Sequence, residues 1–90
     1  MREVRQTAQF RRDLKRELRA HSDLSKLEPV AMMLARSEKL PEGFREHRLI
    51  GNYNGYSECH LASDIVLLFK SEDECVTLVR IGSHSEVLGV

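Results

Sequence analysis

Nothing in this 90-residue chain approaches the roughly 20 consecutive apolar residues of a membrane span, so no transmembrane segment is expected. The opening stretch, MREVRQTAQF, lacks the apolar core of a secretory signal. A cytoplasmic protein is the expectation. Cysteine is scarce: Cys59 and Cys75 are the only two, with neither a CxxC pair nor a zinc-ligand spacing. Both are expected to be reduced and mostly buried. Charge of one sign is not in excess either, since 14 basic and 14 acidic side chains cancel. Glycine is thinly spread, and no phosphate-cradling glycine loop is present. Repeats and linkers are missing, which predicts one domain over residues 1–90. A domain of this size buries only about 60–65% of its unfolded surface, so its stability is marginal. A partner that binds the folded form would raise it.

The charge that is present is polarised along the chain. Residues 1–20 carry seven basic side chains (Arg2, Arg5, Arg11, Arg12, Lys15, Arg16, Arg19) against three acids, a net of +4. Residues 71–90 carry four acids against Arg80, a net of −3. The basic segment is either a solvated helix face or a contact for phosphates or an acidic partner.

Local pattern predicts an α+β fold in the order β-α-α-β-β-β. Residues 2–6 form a short first strand. Thr7 is placed to cap a helix over 8–20, whose apolar residues Phe10, Leu14 and Leu18 recur every four positions. A second helix is expected over 25–37, with Leu27, Val30, Ala31, Leu34 and Ala35 inward. Ser25 and Glu28 match a capping box, and Pro29 is tolerable only near the first turn. Residues 38–46 read as a connector. Strands are expected at 53–61, 64–70 and 75–82, with the acidic SEDE at 71–74 as a hairpin loop. Short connections imply an antiparallel meander with both helices packed on one face.

Strand alternation then sorts the side chains. Tyr56, Glu58 and His60 share one face. Val76, Leu78 and Arg80 share a face, with Gly82 and His84 following if the chain stays extended. Cys59, Val79 and Ile81 fit beneath the helices. The expected outcome is one packed face and one open polar face holding Glu58, His60, Asp64, Arg80 and His84.

That open face carries chemistry. His47, His60, Asp64 and His84 form the pattern H-x12-H-x3-D-x19-H. Imidazole exchanges protons near neutral pH, so several imidazoles and a carboxylate suit proton transfer. In-line RNA cleavage by a 2′-hydroxyl needs a base, an acid and positive charge near the phosphorane-like transition state. The three histidines could supply the proton transfers, Asp64 could orient a histidine or act as the base, and Arg80 could pair with phosphate. A zinc site is the rival. Only His60 and Asp64 sit at a short ligand spacing, so no metal and no other cofactor is expected. His21 lies in a turn and is left out of the set.

Beyond these patterns, the segments His47-Arg-Leu49-Ile-Gly51, Gly55-Tyr56, Glu58-Cys-His60, Asp64-Ile-Val-Leu-Leu-Phe69-Lys70 and Arg80-Ile-Gly82-Ser-His84-Ser-Glu86 resemble the YafQ-like branch of the RelE/ParE toxin superfamily. The resemblance spans nearly the whole chain. It implies a compact fold like that of microbial ribonucleases. It also implies a type II toxin–antitoxin toxin that enters the ribosomal 30S A site and cuts mRNA there. A RelB/DinJ-like antitoxin would inhibit it, in a higher-order complex formed from a toxin that is monomeric alone. The implied catalytic set is His47, His60, Asp64 and His84. Glu58, Arg80 and Leu88 take the substrate- or phosphate-binding positions, and Arg11, Arg12, Lys15, Arg16 and Arg19 are candidates for contact with ribosomal RNA. Asp64 and His60 are placed on the proton-accepting side and His84 on the donating side. The sequence departs from the family pattern at Ser57, Phe69 and Leu88, where relatives usually carry Arg, Tyr and an aromatic. Two other readings stay open: a feeble catalyst that mainly binds its antitoxin, and a ParE-like gyrase inhibitor.

Overall fold

The computed structural model describes residues 1–89. Extended backbone at Glu3–Gln6 (β1) ends at Thr7, whose hydroxyl accepts a hydrogen bond from the Phe10 N–H at 2.9 Å and starts the helix Ala8–Arg19 (α1). The same hydroxyl donates to the Val79 carbonyl at 2.8 Å, so the cap also pins the helix start to the sheet. A second helix covers Leu27–Ala35 (α2). Four strands follow, His47–Arg48 (β2), Ser57–Ala62 (β3), Ile65–Ser71 (β4) and Cys75–Gly82 (β5), and the helix His84–Leu88 (α3) comes last. One sheet forms in the order β1-β5-β4-β3-β2. β1 lies parallel to β5, and the other pairings are antiparallel. The α+β class and the three-strand meander agree with the sequence reading. β2 and α3 are additions to the expected order. β2 is two residues long, too short for any periodicity to register.

Several local expectations change. The strand expected from 53 begins at Ser57, because Gly51–Tyr53 closes a 3₁₀ turn and Gly55 turns the chain at φ +97°. α2 begins at Leu27 without a side-chain cap. Ser25 spends its hydroxyl on Asp23 at 2.7 Å, so the expected capping box with Glu28 does not form. Pro29 does sit in the first turn, where its missing N–H costs nothing. Cys59 is buried, and burial, with lesser help from Glu46 and Glu58, pushes its thiol up to about 12. Cys75 is only half-buried, and both thiols are free.

α1 departs most from its sequence reading. The inward line is Phe10, Asp13 and Glu17, whereas Leu18 is 59% exposed. Phe10 enters the main core with Val30, Leu34, Leu67, Phe69 and Ile81. Asp13 has no exposed surface, and its carboxylate accepts from Gln9, Arg16, both Nε and Nη2 of Arg80, and the Ile81 N–H. Burial alone would push its carboxyl up. The hydrogen bonds from Arg80, Gln9 and Ile81, with the Arg80 charge, outweigh that and hold it below the usual carboxylate range. Glu17 is likewise partnered, by Ser22 at 2.6 Å and Arg16 at 3.2 Å. Burying charges this way is tolerable because each finds donors.

A bulge in β5 explains the second correction. Phe69 pairs with Leu78 and the preceding residue, Leu68, pairs with Arg80, so Val79 is an extra residue. Alternation inverts there. Val76 and Leu78 belong to the main core with Ile81, not to the face of Arg80. Val79 packs on the opposite side, with Val66, Leu68 and Val87. The far face is therefore not an open polar surface. Val66, Leu68 and Val87 form a second small core, ringed by Leu49, Tyr53, Tyr56 and Leu88. This is why all of Ile65–Phe69 is buried: β4 is covered on both faces.

The chain also does not stay extended past Gly82. Ser83 caps α3 with a reciprocal capping box to Glu86, which places His84 at the first helical position. A Cβ at Gly82 would lie 2.8 Å from Arg16 Nη2 and 3.3 Å from Glu86 Oε1.

Two stability measurements follow. Asp13→Ala should cost about 3–5 kcal/mol in urea unfolding at pH 7, the scale for leaving a buried ionic group unpaired. Because the native carboxyl titrates below its unfolded value, its contribution is complete above about pH 4 and is lost as pH falls through the native value. The gap between variant and wild type should therefore narrow in acid; an equal gap at pH 3 and pH 7 would contradict this assignment. Gly82→Ala should cost about 1–3 kcal/mol by crowding Arg16 out of place, and an unchanged melting temperature would show that the guanidinium yields freely.

Candidate active site

The site is built where β2, β3 and α3 meet on the face opposite α1 and α2. Glu58 is its centre. The residue sits in β3, opposite His47 in β2 and Leu68 in β4, with its side chain only 1% exposed. One carboxylate oxygen, Oε1, lies 3.5 Å from His60 Nε2 and 3.7 Å from His47 Nε2. The other, Oε2, lies 3.5 Å from His84 Nε2. Three imidazoles that are 13 and 24 residues apart in sequence thus present the same ring nitrogen to one buried carboxylate.

Each imidazole is delivered by a different local device. His47 opens β2, and its Nδ1 donates to the Arg45 carbonyl at 2.9 Å, which turns Nε2 toward Glu58. Arg45 itself adopts a left-handed backbone (φ +52°) at the end of the 3₁₀ turn Glu42–Phe44. His60 follows two residues after Glu58 in β3, so alternation puts both on one face. His84 arrives through α3, held by the Ser83–Glu86 capping box. His47 and His84 are about half-exposed, at 52% and 51% of the side chain, so the rim is open to a ligand while the carboxylate beneath is not.

The distances show that the centre is loosely made. None of the three contacts reaches hydrogen-bond length, and Glu58 Oε2 is buried without a hydrogen bond. A buried acceptor left unpaired is costly, and a catalytic role is one explanation for such a group. Among the described residues, no group of three or more His, Cys, Asp or Glu is arranged to hold a metal ion.

The remaining expected residues are distributed around this centre. Asp64 lies exposed in the turn between β3 and β4, so the carboxylate that meets the histidines is Glu58. Arg80 shares a cross-strand row with Leu68 and Glu58, but its guanidinium is engaged by Asp13 at 2.7 and 3.2 Å. Leu88 is half-buried against the second core, and its carbonyl accepts from the Tyr53 hydroxyl at 3.2 Å. Of the departures from the family pattern, Phe69 is fully buried in the main core, away from the histidines. Ser57 pairs with Arg48 at the edge of the sheet. Arg16 is not a free surface cation, since it contacts Asp13, Glu17, Glu86 and the Ile81 carbonyl. Arg11, Arg12, Lys15 and Arg19 stay exposed. Sequence reasoning passed over Asp13 and Lys70. Lys70 stands 5.8 Å from the Tyr56 ring centre and adds a cation near this face. Its alternation with Leu68 was the signal available.

With this geometry in place, the likeness to known proteins is informative. The family model described as the bacterial toxin of a type II toxin–antitoxin system, YafQ, matches residues 2–89. The mRNA interferase toxin YafQ of Escherichia coli K12 is 28% identical over 89 residues, covering 98% of this chain and 97% of that protein. The crystal structure of the E. coli DinJ–YafQ complex contains a chain that superposes with a TM-score of 0.89 at 28% identity, covering 99% of this chain and all of that one. A copper-bound mutant toxin from Helicobacter pylori superposes with a TM-score of 0.93 at 32% identity, covering 98% of this chain and all of that one. Matched in sequence and in fold along almost its full length, this chain belongs to the YafQ family of bacterial type II toxin–antitoxin toxins.

Proposed function

We propose that this chain is an mRNA interferase, an endoribonuclease toxin that cuts translated mRNA on the ribosome and so arrests translation and growth. One observation carries the chemical part: His47, His60 and His84 converge on the buried Glu58 carboxylate. Cleavage through a 2′-hydroxyl asks for a base, an acid and nearby positive charge, and needs no further cofactor.

In this mechanism His60 takes the proton from the 2′-hydroxyl, with Asp64 as a second acceptor. The freed oxygen attacks the adjacent phosphorus in line, and the bond to the 5′-oxygen breaks. His84 gives that departing oxygen its proton. Glu58 offsets positive charge on whichever imidazole has taken up a proton, and His47 completes the cluster. Arg80 meets the charge of the phosphate, and Leu88 offers an apolar contact beside the substrate. The loose 3.5–3.7 Å spacing suits a site that tightens when mRNA arrives.

The whole chain acts as one toxin domain in this reading, within the cytoplasm. No helix among the described residues is long and apolar enough to cross a membrane. A DinJ-class antitoxin is the inhibitor, and the free toxin is monomeric. The exposed cations of α1, Arg11, Arg12, Lys15 and Arg19, face ribosomal RNA. A neutral chain needs such a local patch, because its net charge supplies no long-range attraction to a polyanion.

Induced expression in a bacterial host, with primer extension on abundant transcripts, tests the function. New mRNA ends linked to the reading frame are expected for wild type, and they should persist in vitro with a chelator selective for transition metals, at a Mg²⁺ level that keeps the ribosomes intact. His60→Ala and His84→Ala should each lower cleavage by about 10²–10⁴-fold, the usual scale of a general acid or base, while folding and antitoxin binding remain. Undiminished toxicity of both variants would sink the catalytic assignment. Arrest without cleavage would move the target elsewhere, with gyrase next. Separately, reversing the charge of Arg11, Arg12, Lys15 and Arg19 should weaken ribosome binding and flatten its salt dependence. Unchanged affinity across salt would remove α1 from the interface.

A further inference from the structure

Asp13 is an unexpected presence beneath the site. Its side chain is completely buried on α1, yet it reaches a residue of the site face, 67 positions away in sequence. It takes two hydrogen bonds from Arg80, Nε to Oδ2 at 2.7 Å and Nη2 to Oδ1 at 3.2 Å, a bidentate fork. Three other donors fix the carboxylate: Gln9 Nε2 at 2.9 Å, Arg16 Nη1 at 3.2 Å and the Ile81 N–H at 3.2 Å. The last of these comes from the backbone just past the β5 bulge, so anchor and guanidinium are referred to the same strand. Arg80 is thereby held on one edge, while its side chain stays 27% exposed. Arginine has a long, flexible stem, and without such a hold its planar head would sample many positions. The pairing also offsets part of its charge, so what Asp13 supplies is placement rather than attraction.

We propose that Asp13 is a positioning residue for RNA cleavage, fixing the Arg80 guanidinium so that its remaining N–H edge meets the scissile phosphate. This rests on the mRNA interferase reading given above. Displacement of a positioned group by about 1 Å can cost on the order of 10²-fold in rate. The loss should therefore appear in the chemical step rather than in the binding of toxin to ribosomes.

The test is single-turnover cleavage of mRNA on programmed ribosomes, with folding and antitoxin binding checked for every variant. Asp13→Asn, Arg80→Ala, Arg80→Lys and the double variant Asp13→Asn/Arg80→Ala are compared with wild type. Asp13→Asn should slow the saturated rate by about 10–100-fold with little change in the half-saturating concentration. Arg80→Ala should lose at least as much, and the double variant should be no worse than Arg80→Ala. Arg80→Lys keeps the charge but loses the fork, and it should stay within about threefold of Arg80→Ala. This last arm stands even if Asp13→Asn does not fold. A folded Asp13→Asn cleaving at the wild-type rate would overturn the proposal. So would losses that multiply in the double variant, or full activity of Arg80→Lys. If Arg80→Ala alone cleaves normally, Asp13 has nothing to position, while the histidine assignments are untouched. A wild type that leaves mRNA intact would remove the mRNA interferase reading and this proposal with it.

Discussion

Three hydrogen bonds from β5 to one buried carboxylate, that of Asp13, hold the helical layer to the sheet, and two more from α1 itself fill its remaining lone pairs. An ionised group with no exposed surface is tolerable only when its lone pairs are filled, and removing any major donor leaves charge stranded in a poor solvent. The geometry of α1 against β5 is therefore specified far more narrowly than apolar packing alone would require. Arg16 extends the constraint to Glu86 and so to α3. A small domain with a thin core gains definition from a network of this kind.

Glu58 makes an instructive contrast. It is as buried as Asp13, yet one of its oxygens has no hydrogen bond and its three neighbours stand beyond hydrogen-bond length. A satisfied buried carboxylate braces a structure. An unsatisfied one among imidazoles is a store of unmet interaction energy, which a substrate or a proton shift can draw on. The two carboxylates sit on opposite sides of the sheet's business end, linked through the row Glu58–Leu68–Arg80. Rigid support and loose chemistry are in this way separated by a single strand.

The second apolar cluster makes that arrangement possible. Val66, Leu68 and Val87 dry the floor of the face that carries the histidines, and Tyr53, Tyr56 and Leu88 border it. Electrostatic interactions above a dry floor are stronger than in water. Leu88, where the family resemblance leads one to expect an aromatic, contributes to this border. Phe69, by contrast, serves the main core.

The sequence by itself determined the element types wherever a long period or a local cap was present: α1 with its Thr7 cap, the inward side of α2, and the boundaries of β5. It also singled out, by type and by the motifs around them, His47, His60 and His84, which the fold brings to one buried carboxylate, and Asp64, which stays exposed in the β3–β4 turn. Tertiary structure alone decided what those residues meet. The Val79 bulge shifts alternation by one and moves Arg80 off the face of Val76 and Leu78, and no composition rule announces a bulge. The turn into α3 at Ser83 carries His84 to Glu58 instead of leaving it in line with β5. Asp13 looks like a solvated helix charge until β5 supplies its partners. Local pattern reports the company a residue keeps within one element; burial of a charge depends on donors brought from elsewhere in the chain, and only the folded arrangement provides them.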